Sequence, residues 1–208
     1  MKLLTCVLFL VGVTFSTSAQ TEEEIRSALN KVHSLDDLES LKKEHPDWTI
    51  FSRTILSLGS TYDSTLFHAK KDTVIRTQAH ANSPAIFHKI VEKGTEEACK
   101  VQYIFLDGKR RSTDELRALR ERIIAAYKEG TPFLDLVRKF SEDGNPTGTL
   151  DWFYEGMMDP DFDKAVRDNP SGTIFTVDIP LRYWYYVVLK TEENRELPAT
   201  YTVSIRTS

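Results

Sequence analysis

Apolar residues recur at helical spacing in two stretches that follow the first twenty residues. The two sets are Ile25, Leu29 and Val32, then Leu35, Leu38 and Leu41. Each set falls on one face of a helix, and His45-Pro46 ends the helical pattern. Strands are predicted from β-favouring residues at 48–58, 72–77 and 85–92. The first half is therefore predicted to be a small α+β region. A charged turn is predicted at 92–97, and the region is expected to end within it, near Gly94.

Helical spacing and strand-like runs alternate more clearly in the second half. Strands are predicted at 101–106, 150–153, 173–177 and 184–190. Helices are predicted to begin at Ser112, Thr131 and Asp159. This order predicts an α+β fold in which helices surround a small antiparallel sheet.

The N-terminus has the three-part pattern of a secretory signal peptide. A single lysine precedes an apolar run over residues 3–15, and the small residues Thr17 and Ala19 follow it. We expect cleavage after Ala19, so that the mature chain begins at Gln20 and is not stably inserted in a membrane. An uncleaved anchor is the alternative, although the apolar run is short for a membrane span. An acidic, cysteine-poor exported protein fits a bacterial periplasm or cell surface best.

Composition argues against several classes of partner and cofactor. The 208 residues have a net charge of −4 and no long basic tract, so we expect no nucleic-acid partner. Without the signal peptide, Cys99 is the one remaining cysteine, which excludes an internal disulfide. The five histidines lack metal-ligand spacing, and no nucleotide or phosphate motif occurs. The sequence therefore predicts neither a metal nor a cofactor.

An ordered string of short motifs runs through the second half, after the strand at 101–106. It reads TPF at 131–133, FSED at 140–143, GTLDWF at 148–153, GMMDPDF at 156–162, SGTI at 171–174 and YYVVLK at 185–190. This order resembles the parvulin-type (PpiC-like) peptidyl-prolyl cis-trans isomerases over roughly the C-terminal half. The resemblance implies a parvulin-like fold, and isomerase activity on X–Pro bonds of unfolded or maturing proteins.

The resemblance also assigns site residues. The apolar floor of the family's proline pocket maps onto Leu150, Met158 and Phe162, although each is also an ordinary core residue type. Asp143 occupies the position at which the family carries a cysteine or an aspartate beside the substrate amide. The sequence at 143–146 is also a good turn in its own right.

The family's two histidines, one on the first strand and one on the last, fall on Tyr103 and Tyr186. Hydroxyl groups can donate and accept hydrogen bonds, but a tyrosine cannot act as a neutral imidazole. The change predicts weakened activity, with Asp143 and the two tyrosines as catalytic candidates. The alternative is a non-catalytic chaperone or peptide-binding module on the same fold. In either case the expected partners are unfolded or extended polypeptides that contain proline.

Four segments are predicted along the chain. They are a signal peptide at 1–19, an N-terminal α+β region at 20–94, a parvulin-like domain at 95–195 and a C-terminal strand or tail at 196–208. Short patterns at 67–69, 72–75 and 87–90 echo patterns at 162–165, 172–174 and 188–190. The first half is then either a second, eroded copy of the parvulin unit or a coincidence among short strand patterns.

Overall fold

Helices and strands are defined for residues 21–207, the part of the chain that this computed structural model describes. The helices are α1 (Glu22–Asn30), α2 (Asp37–Glu44), α3 (Ser64–His68), α4 (Thr113–Lys128), α5 (Phe133–Phe140) and α6 (Pro160–Asp168). The strands are β1 (Thr49–Leu56), β2 (Val74–Thr77), β3 (Ile86–Asp107), β4 (Thr149–Tyr154), β5 (Ile174–Ile179), β6 (Trp184–Lys190) and β7 (Arg195–Arg206). The predicted signal peptide and the residue after its cleavage site lie outside the described residues.

Helix starts follow local capping chemistry. Ser112 accepts a hydrogen bond from the backbone N–H of Glu115 at the start of α4, and the Glu115 carboxylate accepts one from the Ser112 backbone, a complete capping box. Asp159 caps α6, with Pro160 at its first turn. The helix starts predicted near Ser112 and Asp159 are thus confirmed.

All seven strands form one antiparallel sheet in the order β1-β7-β3-β6-β5, and β2 and β4 also pair with β3. With six helices packed on it, the fold class is α+β, as predicted. Helices α1 and α2 pack against β1, β3 and β7, and α4 and α5 cover the sheet around β3 and β6. Helix α6 covers a further core that β3, β4, β5 and β6 share.

Strand β3 is 22 residues long and runs straight through Gly94. The turn predicted at 92–97 is wrong, because these residues pair with β7 along their whole length. Lys93 lies opposite Thr200 and donates a hydrogen bond of 2.8 Å to its hydroxyl, and Gly94 lies against the ring of Tyr201. The charged side chains suggested a turn. These residues form a strand because they pair with β7, which lies a hundred residues further along the chain.

The same strand arrangement occurs twice in the sheet. Strand β7 lies between β1 and β3, and β3 in turn pairs with β2. In the second half β3 lies between β4 and β6, and β6 pairs with β5. Both four-stranded sets therefore have one plan, and β3 belongs to both.

Backbone details repeat at positions 100 residues apart. The N–H of Asp72 donates to the carbonyl of Ile90 at 2.8 Å, and the N–H of Gly172 donates to that of Lys190 at 2.8 Å. Asp72 and Gly172 both have left-handed backbones, with φ of 67° and 80°. Strand β2 pairs with β3 in the register in which β5 pairs with β6. The echo between residues 72–75 and 172–174 thus coincides with equivalent backbone geometry.

A buried histidine marks the first of the two strand sets. The ring of His88 lies 2.9 Å from the hydroxyl of Thr77 and 2.9 Å from that of Ser204. Burial of the ring, helped by the charge of Arg53, lowers the pKa of His88 to about 4. Val188 occupies the equivalent position 100 residues later, so the second strand set is apolar where the first one is polar.

Candidate functional site

An open cavity of about 320 Å³ lies where β3, β4, β5 and β6 meet the start of α6. Its lining consists of Tyr103, Phe105, Asp143, Leu150, Met158, Asp159, Phe162, Ile179, Trp184 and Tyr186. Each of the six residues that the sequence nominated for the site is among them. Most of this wall is apolar, as expected of a pocket for a small non-polar group.

Strand alternation brings the two tyrosines together. Tyr103 on β3 pairs with Val188, and Tyr186 on β6 pairs with Phe105, so the two rings are diagonal neighbours on one face. Their centroids lie 6.0 Å apart at an interplanar angle of 72°, an edge-to-face contact. The two positions at which the family carries its histidines thus lie side by side on neighbouring strands.

The segment after α5 is attached to β3 and so carries Asp143 to the cavity. The Glu142 backbone N–H donates to the carbonyl of Phe105 at 2.9 Å. The Ser141 hydroxyl accepts a hydrogen bond of 3.1 Å from the N–H of Phe105. These two contacts act like one more rung of sheet pairing, and the next residue reaches the pocket edge.

Three groups hold the Asp143 carboxylate. The Tyr103 hydroxyl donates to Oδ2 at 2.6 Å, the Ser141 hydroxyl donates to Oδ1 at 3.0 Å, and the Asn145 backbone N–H donates to Oδ1 at 3.3 Å. Burial of the ring and the hydrogen bond to Asp143 together raise the pKa of Tyr103 to about 12. Tyr103 is therefore protonated across the physiological pH range and serves as a fixed donor.

Gly148 allows the chain to turn closely over β3. Its φ is 59°, and its carbonyl accepts a hydrogen bond of 2.8 Å from the N–H of Tyr103. A Cβ at this position would lie 2.3 Å from the carbonyl oxygen of Tyr103. Only glycine fits both the backbone and the space, and this approach positions β4 with Leu150 beside the pocket.

The floor residues differ in how much they expose. Phe162 is 4% exposed, and its ring packs 5.2 Å from the Tyr186 ring and 6.4 Å from that of Phe153. Leu150 and Met158 are partly exposed. Phe162 is thus part of both the core and the pocket, whereas Leu150 and Met158 are available to contact a ligand.

The hydroxyl of Tyr186 has no hydrogen-bond partner among residues 21–207. Burial of the ring raises the pKa of Tyr186 to about 12, with smaller electrostatic contributions from Tyr103 and Asp143. At neutral pH the pocket therefore contains a protonated hydroxyl that can donate to a bound group.

Sequence reasoning did not nominate Phe105, Asp159, Ile179 or Trp184 for the site, yet all four line the cavity. Phe105 and Trp184 lie two residues from the nominated tyrosines on the same strands. Because side chains two apart on a strand share a face, strand alternation would have found both.

The basic loop at 109–111, which follows β3, has one of its charges paired within the protein. Arg111 makes two hydrogen bonds to the Glu142 carboxylate, at 2.8 and 2.5 Å, so its charge is already paired. Lys109 and Arg110 are exposed on a short 3-10 turn. With the charge of Arg111 paired and the other two side chains exposed, this loop has the features of a solvated basic turn.

Residues 21–207 contain neither a metal-binding cluster nor a membrane-spanning helix. No group of three or more His, Cys, Asp or Glu side chains in this part of the chain could hold a metal ion. No helix described here is both long and apolar enough to cross a membrane.

The stretch of chain that contains this cavity matches a known protein family. The PPIC-type PPIase domain matches residues 86–194, just over half of the chain. The chaperone SurA of Hahella chejuensis is 30% identical over 105 residues, which are 48% of this chain and 24% of that protein. The chain thus matches about a quarter of the length of this curated relative.

Solved structures give matches of similar extent. The crystal structure of PrsA from Bacillus subtilis is 28% identical, with a TM-score of 0.39 over 47% of this chain and 36% of that one. A PpiC-type peptidyl-prolyl cis-trans isomerase domain is 21% identical, with a TM-score of 0.44 over 49% of this chain and 94% of that one. On the match of residues 86–194, the chain belongs to the PPIC-type peptidyl-prolyl cis-trans isomerase family.

Proposed function

We propose that the cavity binds proline and that the protein catalyses cis-trans isomerisation of X–Pro bonds in unfolded or maturing polypeptides. The observation that carries this proposal is the 2.6 Å hydrogen bond from Tyr103 to Asp143 at the edge of an apolar cavity. The apolar cavity offers a site for a proline ring, and the hydrogen bond fixes the Asp143 carboxylate beside the amide that must rotate.

The reaction breaks no covalent bond and needs no cofactor. Rotation about a peptide bond has a barrier of about 18–20 kcal/mol, and an uncatalysed X–Pro bond isomerises over tens to hundreds of seconds. The twisted amide is less polar than the planar one. Transfer into an apolar pocket and a better fit at the twisted geometry therefore both lower the barrier.

Each group at the site has a distinct role in this proposal. Leu150, Met158 and Phe162 contact the proline ring and exclude water from it. The carboxylate of Asp143 lies beside the rotating amide, and Tyr103 positions that carboxylate. The free hydroxyl of Tyr186 donates to the peptide, in place of the imidazole that the family has at this position.

An exchange assay tests the proposal directly. NMR exchange spectroscopy on a panel of X–Pro peptides should show that catalytic amounts of the protein accelerate isomerisation over the uncatalysed rate. Asp143→Ala should lower kcat/KM and leave the peptide Kd nearly unchanged, since its contribution is made in the transition state. An unaccelerated panel with the wild-type protein would refute the enzymatic function.

A non-catalytic peptide-binding chaperone is the second candidate. It is favoured by the tyrosines at both histidine positions of the family, and the similar SurA protein is named a chaperone. Under this alternative the protein binds unfolded chains and suppresses their aggregation, while the isomerisation rate stays at the uncatalysed value. Asp143→Ala would then change neither property.

Export is part of the same proposal. The apolar run at 3–15 and the small residues Thr17 and Ala19 support cleavage before Gln20, and delivery to a bacterial periplasm or cell surface. Mass spectrometry of the protein from fractionated cells should give a mature chain that lacks the first 19 residues. An intact N-terminus in the extracytoplasmic fraction would contradict it.

A further inference from the structure

The turn between β5 and β6 exposes large apolar side chains beside the pocket. Leu181 is 97% exposed and Tyr183 is 50% exposed. The residues on either side of this turn, Ile179 and Trp184, line the cavity itself. The other large hydrophobic side chains exposed in residues 21–207 are Leu58 and Tyr62, between β1 and α3. Leu181 and Tyr183 thus form an apolar tip, defined here as residues 180–184, that is continuous with the pocket wall.

Backbone contacts hold this tip in place. Tyr183 has a left-handed backbone with φ of 59°, and its N–H donates to the Pro180 carbonyl at 3.0 Å. Its own carbonyl accepts a 2.8 Å hydrogen bond from Gly108 at the end of β3. A Cβ on Gly108 would lie 2.4 Å from the ring of Tyr185, so the approach of the two segments requires glycine here.

Arg182 attaches the other side of the tip. Its Nε lies 3.3 Å from Oδ2 of Asp159, the residue that caps α6 and lines the pocket. Its guanidinium group also lies 4.9 Å from the centre of the Trp184 ring. The tip is therefore tied to both β3 and α6, and its exposed leucine is presented on a preorganised surface.

A single exposed leucine is common on protein surfaces, whereas adjoining exposed apolar groups at the rim of a binding pocket mark a contact site. We infer that the tip is a second subsite, which binds a bulky apolar side chain of the same polypeptide whose X–Pro bond occupies the pocket. This inference rests on the proposed function, and it names the substrate class: extended segments with an aliphatic or aromatic residue near proline.

Strand geometry sets the spacing between the two bound residues. Trp184, the last residue of the tip, lies two residues from Tyr186 along β6, about 7 Å at the usual rise per residue. An extended peptide advances by a similar length per residue. The apolar side chain should therefore lie about two to four residues from the proline.

The test compares two peptide series that share one X–Pro core. In one series leucine is placed two, three or four residues before or after the proline, and in the other series serine replaces it. For the wild-type protein, kcat/KM should be about three- to tenfold higher for the best leucine peptide than for its serine counterpart. In Leu181→Ser this preference should fall below twofold. Because the Leu181 side chain is almost fully exposed, this variant should fold normally.

Leu58→Ser is the matched control, since Leu58 is exposed but lies outside the pocket lining. It should keep the leucine preference. A preference that survives in Leu181→Ser, or that Leu58→Ser removes equally, would overturn the subsite. If no peptide is accelerated, the enzymatic function fails by itself. The subsite is then judged from the peptide Kd by fluorescence anisotropy, with the same expected preference and the same loss in Leu181→Ser.

Discussion

Replacing Tyr103 by phenylalanine isolates the hydrogen bond that positions Asp143. The variant keeps the ring that packs 6.0 Å from Tyr186 and removes only the hydroxyl, which donates to the carboxylate at 2.6 Å. Asp143 retains its contacts with the Ser141 hydroxyl and the Asn145 backbone. The carboxylate should therefore remain near the pocket but sample more orientations.

The size of the effect follows from the kind of hydrogen bond. One made to a charged group contributes about 1.5–3 kcal/mol, and the lower value applies here because both side chains are partly exposed. If the orientation of Asp143 matters only in the transition state, about 1.5 kcal/mol corresponds to a roughly tenfold loss in kcat/KM. The peptide Kd should stay within about twofold of the wild-type value.

A double-mutant cycle separates positioning from independent action. We expect Asp143→Ala to lower kcat/KM by at least as much as Tyr103→Phe, and the double variant to be no slower than Asp143→Ala alone. Tyr186→Phe is the comparison, because in the proposed function its hydroxyl donates to the peptide directly. Its effect should therefore multiply with that of Asp143→Ala.

Multiplicative effects of Tyr103→Phe and Asp143→Ala in the exchange assay would refute this reasoning. They would mean that the Tyr103 hydroxyl acts on the peptide itself and not through the carboxylate. Urea unfolding of each variant serves as the folding control. A loss of stability well above about 1.5 kcal/mol in Tyr103→Phe would indicate a structural defect instead.

Three further results are expected. The pKa of His88 is about 4 in the folded protein and about 6.5 in the unfolded chain. The free energy of unfolding should therefore be highest above pH 6.5 and fall by about 3 kcal/mol as the pH drops to 4. In urea titrations, His88→Gln should flatten this dependence on pH. Met158→Ala should weaken peptide binding by about 1–2 kcal/mol in anisotropy measurements without unfolding the protein, whereas Phe162→Ala should cost about 3–5 kcal/mol of stability in the same urea titrations, because Phe162 is buried. Replacing Tyr103 and Tyr186 together by histidine should raise the exchange rate; an unchanged rate in a folded variant would show that the tyrosines are not what limits catalysis.

The sequence predicted those parts of the fold that depend on nearby residues. Capping at Ser112 and Asp159 relates groups within three positions, and each helix begins where that pattern lies. The cavity residues could also be predicted, because the order of motifs places Leu150, Met158 and Phe162 on elements that converge. Ring geometry and the 2.6 Å contact of Asp143 depend on side-chain orientation, which no spacing of residues records.

Long-range pairing was the part that the sequence did not reveal. The charged residues 92–97 have the composition of a turn, and only β7, a hundred residues away, makes them a strand. The segment after residue 195 was predicted as a C-terminal strand or tail, and it lies in the interior of the sheet between β1 and β3. Pairing partners at this separation leave no local trace in the pattern of polar and apolar positions.

The position of β7 has a consequence for the order in which the chain can fold during synthesis. Within residues 21–207, strand β1 pairs with β7 alone, and β7 emerges from the ribosome about 140 residues after it. The N-terminal helices and β1 must therefore wait, with part of their apolar surface uncovered, while residues 86–190 are made and can already pair among themselves. A protein proposed to act on unfolded polypeptides would thus pass through a long, partly unfolded stage of its own.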